Sequence, residues 1–451
     1  MIQRLRQILP HDQVAQRLVR NLKWIFSSQV AMAILGMISL AVSARALGAA
    51  GLGALALIEA FARINARLVH FEPWQAVIQY GSIALEEKDT ARFENLVGLS
   101  IVLDVIGGLA AAALILFLAP LVAGSIGLDG GAAHLLSLGA LAVALSLRAT
   151  GVALLRLYDR FDLLAKIDAA TALFRLLLSI IAWLVGGSLV HFVVIFVLFS
   201  LAEGLIAFIF GRREMRQRGQ KPRFGSLIAT LGQNRGFLRF MWNSNLAVIL
   251  RQTTQRLDVV ILGALVAPVF VGHYHIARKC GDAAIRLGRP IKQAVFPEFS
   301  RLAASGDYVR IRKTALWISV AFCAILLAGV IPALIYIVPI LDAAFGEAFV
   351  AAAPVVSIQA VAVALFLAGV ILGPVLLSLG HDRELMLIGA ATAALFFALI
   401  YPFVVTFGVN GAALSHLISN TLWLVACGWL VMRTLEAKTR PDTASKSEVR
   451  S

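Results

Sequence analysis

Lysine and arginine are nearly missing from every second gap between the hydrophobic segments of this 451-residue chain. The gaps near residues 45–52, 120–132, 186–190, 264–271, 339–350 and 406–411 together hold one, Arg45. The intervening gaps carry clusters, the largest being Arg212, Arg213, Arg216, Arg218, Lys221, Arg223 and Arg235. Short cytoplasmic loops keep basic residues and exported ones are depleted of them. The alternation therefore gives seven inside segments and six outside ones, hence twelve crossings with both termini cytoplasmic.

Charge is scarce too: 14% of residues are charged and 60% hydrophobic, with a mean hydropathy of +0.87. That excludes a water-soluble fold with a polar exterior. The three cysteines, Cys280, Cys323 and Cys427, fall inside hydrophobic segments without ligand spacing, so neither a disulfide framework nor a metal site is expected. The eight histidines are scattered, and none sits beside carboxylates in a nucleophilic or metal arrangement. With outside gaps too short to hold an acceptor, an enzyme is not expected, nor is a cofactor. The net charge of +15 lacks the aromatic interleaving of a nucleic-acid surface. It lies mostly in inside loops facing anionic membrane lipid.

What is present is a series of apolar runs of about 20 residues, the length that spans a bilayer as a helix. They give an all-α polytopic membrane protein of about twelve transmembrane helices in two six-helix lobes. A basic N-terminal segment covers 1–23, the first lobe 24–211, a basic cytoplasmic linker 212–239, the second lobe 240–432 and a cytoplasmic tail 433–451. The second and eighth crossings, near 53–80 and 270–294, are too charged for a hydropathy plot to find. Both are required if the basic clusters around them are to stay inside. A faint internal repeat relates them: Leu47-Gly48 and Gly53 resemble Leu262-Gly263 and Gly272. Aligning Gly53 with Gly272 superposes Glu59 on Arg278, Arg63 on Asp282 and Arg67 on Arg286.

Positions i, i+4 and i+8 lie along one face of a helix. Glu59, Arg63, Arg67 and His70 make one charged stripe, and Arg278, Asp282, Arg286 and Arg289 make its counterpart. Helix seven adds Arg251, Arg256 and Asp258, and Arg148 and Arg175 lie in or near crossings four and five. Ion pairing explains part of this, since Glu59 with Arg63 and Asp282 with Arg278 and Arg286 have the i,i+4 spacing. By that spacing Asp282 sits between two cations and Glu59 beside one. Arginines nevertheless outnumber carboxylates, and an unpaired arginine near the bilayer centre costs about 2.5–3.5 kcal/mol even on lenient scales. The surplus points to a hydrated cavity holding an anion. Guanidinium forks suit phosphate or diphosphate oxygens. The expected anion contacts are Arg63, Arg67, Arg278 and Arg286, then Arg251 and Arg256; Glu59, Asp258 and Asp282 are candidate proton or sodium sites.

Several stretches resemble polysaccharide-export flippases. They are Ala44-Arg45-Ala46-Leu47-Gly48 followed by Gly51-Leu52-Gly53, and Leu154 to Phe161 (LLRLYDRF). Arg256-Leu257-Asp258 with Leu262-Gly263, Gly272-His273-Tyr274-His275, and Phe296-Pro297-Glu298-Phe299 continue the series. In this order they resemble the O-antigen-type, lipid-linked oligosaccharide flippases of the multidrug/oligosaccharidyl-lipid/polysaccharide superfamily, across about residues 21–432. The resemblance implies two lobes around a cavity and a polyprenyl-diphosphate-linked oligosaccharide as cargo. It also implies a bacterial inner membrane location, flipping from cytoplasmic to periplasmic leaflet, an H+ or Na+ counter-ion, and polysaccharide polymerase or assembly proteins as partners. Three other readings stay open: a multidrug or cation antiporter, a lipid II flippase, and a transport-inactive scaffold of a synthesis complex.

Overall fold

A computed structural model describes residues 13–69, 73–128, 133–242, 244–245 and 257–439. The described residues form helices and short connections, with no strand. Helix α1 runs from Gln13 to Val69, and its 57 residues would reach roughly 85 Å if straight, well beyond a hydrocarbon core. Gly48 breaks it at φ 64°, ψ −176°, a conformation open to glycine. The first two crossings are thus joined at a single kinked residue. Helices α2 (Trp74–Glu86), α3 (Thr90–Val122), α4 (Ala133–Ala144), α5 (Arg148–Leu157), α6 (Phe161–Leu184), α7 (Leu189–Gln217) and α8 (Leu227–Gln233) follow. Next come α9 (Leu257–Leu265), α10 (Pro268–Ala304), α11 (Tyr308–Ile335), α12 (Ile337–Phe345), α13 (Ala353–Ala368), α14 (Leu372–Ser378), α15 (Asp382–Phe407) and α16 (Val409–Thr439).

Nine described helical stretches are long and apolar enough to cross a membrane. The first, Lys23–Val69, contains both the first crossing and part of the second. Charged α10 is not among the nine, and neither is the seventh crossing, of which much lies outside the described residues. The nine are therefore compatible with twelve crossings. Side chains such as Trp317 (73% exposed), Ile325 and Leu184 stay open to the surroundings, as they must where the solvent is hydrocarbon.

The chain divides into two compact units, one through His275 and one from Ile276. In the first, Gly53 and Gly272 mark a backbone crossing. A Cβ on Gly53 would stand 1.8 Å from the carbonyl oxygen of Pro268, and one on Gly272 would stand 2.1 Å from that of Ala49. The contact is reciprocal: each glycine meets the carbonyl four residues before the other. The two glycines that align in the repeat are thus the two that allow the helices to touch. In the second unit, Phe299, Ile311, Val375, Leu376, Cys427 and Val431 form the main apolar cluster, joining the end of α10 to α11, α14 and α16.

Candidate functional site

The first unit concentrates charge where α1, α6 and α7 pack. Glu59 is 5% exposed. Its carboxylate accepts a hydrogen bond from the Arg175 guanidinium on α6 at 2.5 Å and pairs with Arg63 one turn along α1 at 3.6 Å. Both arginines also stack on phenylalanines of α7, Arg63 over Phe196 at 5.4 Å and Arg175 over Phe199 at 5.3 Å. A ring face is electron-rich and attracts the cation. One carboxylate is therefore set between two guanidinium groups, and the Arg63 Nε is buried with no hydrogen-bond acceptor among the described residues. Arg67 continues the stripe one turn further, half-buried.

The other intramembrane carboxylates of this unit are taken up locally. Arg148, at the start of α5, reaches Asp168 at 3.2 Å and Glu203 at 3.1 Å. Asp104, fully buried, accepts from the Thr150 backbone amide at 3.0 Å and hydroxyl at 2.7 Å. Asp258 is also fully buried; it accepts from the Tyr274 hydroxyl of α10 at 2.7 Å and from the Val259 amide at 2.8 Å.

In the second unit Arg278 and Arg286 are half-buried on α10 and Asp282 is exposed. Among the described residues no ion pair joins Asp282 to either arginine. Asp282 is thus not paired with the two cations its spacing offers, and Glu59 meets two arginines, not one. Helical spacing permits a pair without requiring it, and it is blind to Arg175, which reaches Glu59 from 116 positions away. Arg251 and Arg256 lie outside the described residues, as do His70 and Glu72.

The basic end of this unit is fastened by buried carboxylates. Glu214 on α7 pairs with Arg160 and with Arg218, the latter at 2.8 Å. Arg218 also covers the Tyr158 ring at 4.1 Å, and the Tyr158 hydroxyl donates to Gln220 at 2.6 Å. Burial raises the Tyr158 phenol above its ordinary pKa, and the Asp162 hydrogen bond raises that of Arg160. Asp159 turns there with φ 57° and accepts from Asn21 at 2.5 Å. The Tyr158-Asp159-Arg160 stretch is accordingly a structural knot.

The family model described as "Polysaccharide biosynthesis protein" matches residues 18–303. A relative in Escherichia coli K12, "Inner membrane protein YghQ", is 28% identical over 292 residues, 64% of this chain and 82% of the relative. Among solved structures, a lipid II flippase MurJ in an inward closed conformation is similar with a TM-score of 0.70 at 13% identity, covering 92% of this chain and 89% of that one. An inward-facing multidrug resistance transporter of the MATE family has a TM-score of 0.66 at 14% identity, covering 93% and 96%. A MOP-superfamily transporter from Pyrococcus furiosus, described as having a binding pocket of reverse polarity, has a TM-score of 0.59 at 13% identity, covering 94% and 96%. At these identities the solved structures speak to fold. The twelve-crossing pattern, the helical architecture and the match over most of the chain agree: this multi-pass membrane protein belongs to the polysaccharide biosynthesis protein family and has the fold of the MOP transporters.

Proposed function

We propose that this protein flips a polyprenyl-diphosphate-linked oligosaccharide, a repeat unit of O-antigen, capsule or exopolysaccharide, from the cytoplasmic to the periplasmic leaflet of a bacterial inner membrane. The observation that carries this reading is that, among the described residues, two guanidinium groups, Arg63 and Arg175, share the one carboxylate of Glu59, and the buried Arg63 Nε has no acceptor. A half-buried, under-neutralised guanidinium is a receptor for an anion, and diphosphate offers the oxygens its fork is shaped to meet. Arg63, Arg67, Arg278 and Arg286 are the proposed contacts, with Arg175 joining them; Arg251 and Arg256 keep the role given by sequence. The mechanism is alternating access, in which the polar head is carried through the protein while the polyprenyl chain remains in lipid.

A cation antiporter needs carboxylates open to its cargo. Glu59, Asp168 and Glu203 are each held by arginine, which disfavours that reading. Counter-ion exchange at Glu59 would strand two guanidinium groups, which disfavours Glu59 as the coupling site; Asp258 and Asp282 keep the candidate role given by sequence. The test is translocation of a fluorescent diphosphate-linked oligosaccharide lipid in proteoliposomes. Loss of transport in Arg63→Gln or Arg175→Gln at unchanged folded yield supports the flippase. Transport that survives both, or cationic-drug efflux in their place, rejects it.

A further inference from the structure

A second basic site lies away from this cluster, at the inner end of the first unit. A cavity of about 530 Å³ opens between the last turns of α7 and the linker that follows it. Its lining includes the half-buried apolar side chains Ile101, Leu147 and Phe208 and the exposed cations Arg212, Arg216 and Lys221. Phe208, Arg212 and Arg216 follow one another at i, i+4 and i+8 on α7, so about 12 Å of helix passes from apolar to basic. The cavity is thus graded like an amphiphile.

The linker wall is held in place rather than draped. The Lys221 amide donates to the Glu94 carboxylate at 2.8 Å, the Arg223 amide donates to the Glu94 carbonyl at 3.1 Å, and the Arg223 side chain pairs with the same carboxylate. Close packing completes the contact, since a Cβ on Gly98 would stand 1.9 Å from the Arg223 carbonyl oxygen. The buried acids nearby are committed elsewhere, Glu94 to Arg223 and Glu214 to Arg160 and Arg218. Arg212 and Arg216 make no ion pair among the described residues and are exposed. Phe224, also in the lining, is 69% exposed, and Ile228, further along, is 84% exposed, in a segment otherwise rich in arginine. Apolar side chains beside cations at the end of a span mark a segment lying in the headgroup region.

We infer that this cavity is a binding site for an anionic phospholipid of the inner leaflet, its phosphodiester held by Arg212, Arg216 and Lys221 and an acyl chain laid along Ile101, Leu147 and Phe208. A free phosphate would satisfy the cations and leave the apolar wall empty, so the lipid fits the whole cavity. A wall fixed before binding spares the cost of ordering it. The inference stands apart from the transport reading, because none of these residues belongs to the Glu59 cluster.

The test uses the purified full-length protein in zwitterionic nanodiscs doped with phosphatidylglycerol, with retained lipid counted by native mass spectrometry. Neutralising Arg212, Arg216 and Lys221 together to Gln should lower phosphatidylglycerol retention by at least about tenfold, since each cation near the surface contributes to holding an anionic lipid. Neutralising Arg213, Arg235 and Arg239, equal in charge but outside the cavity, should change it less than twofold. Equal loss in the two triples means diffuse attraction only and overturns the site. Displacement of the lipid by millimolar inorganic phosphate alone assigns the cavity to a soluble anion and also overturns it. If the first triple folds poorly, Phe224→Trp in the unaltered charge background replaces it. The quenching it adds to that of the wild type, whose seven tryptophans supply the background, should be greater with doxyl-labelled phosphatidylglycerol than with doxyl-labelled phosphatidylcholine, and an equal increment rejects the proposal.

Discussion

Removing the Glu59 charge should destabilise the first unit more than removing either of its arginine partners. Glu59→Gln keeps the shape and one hydrogen-bond acceptor for Arg175 but leaves two guanidinium groups facing each other. Their side chains are 33% and 24% exposed, against 6% for Glu59, so they regain little water. Breaking a buried ion pair from one side costs about 3–5 kcal/mol. Allowing for the partial exposure of both arginines, we expect roughly 2–4 kcal/mol for Glu59→Gln. Arg175→Gln leaves the carboxylate with Arg63 and should cost less, about 1–2 kcal/mol. The double variant removes one cation along with the anion, so it should be less destabilised than the sum by roughly 1–2 kcal/mol, within the range measured for contacting residues. The assay is equilibrium unfolding of the four proteins in mixed micelles. Additivity within about 0.5 kcal/mol would refute the reasoning, because independent sites behave that way.

Other consequences are equally direct. Gly53→Ala drives a methyl into the Pro268 carbonyl and should cost about 1–3 kcal/mol or prevent folding, whereas Gly36→Ala, with nothing within 4 Å, should change the unfolding midpoint little. Tyr274→Phe strips a hydrogen bond from buried Asp258 and should lower stability by about 1–3 kcal/mol, read in the same unfolding assay. For topology, single cysteines at Ser125, Val185 and Glu347 in a cysteine-free background should react with an impermeant external thiol reagent, while those at Gln217 and Ser305 should not. The neighbouring Gly127 and Gly346 are avoided because their φ values of 68° and 98° disfavour cysteine; equal labelling of both sets rejects the twelve-crossing topology.

The sequence made the membrane fold legible because the constraint on it is one-dimensional. Span length and the retention of lysine and arginine inside are read along the chain, and even charged α10 is found through the basic clusters around it. The repeat was legible for a related reason, since Gly53 and Gly272 must both be glycine for two backbones to touch. The charge cluster was only half visible. Arg63 follows Glu59 at helical spacing, but Arg175 meets Glu59 through tertiary packing of α6 on α1, and no local pattern carries that. Asp282 shows the converse: spacing offered it two partners, and among the described residues it is exposed and pairs with neither. The lipid cavity was invisible, because Phe208 and Arg212 acquire their meaning from Leu147 and a linker held down by Glu94.

The central claim is that under-neutralised arginine receives the diphosphate of a lipid-linked glycan. Its most direct test is the binding of a short-chain polyprenyl-diphosphate oligosaccharide and of its monophosphate counterpart to the wild type and to Arg63→Gln, by calorimetry in micelles. The account predicts that the diphosphate binds at least about tenfold more tightly to the wild type and that Arg63→Gln removes most of that difference, since hydrogen bonds to charged groups contribute about 1.5–3 kcal/mol each. Equal affinity of the wild type for both lipids, or a preference that Arg63→Gln leaves intact, would contradict it.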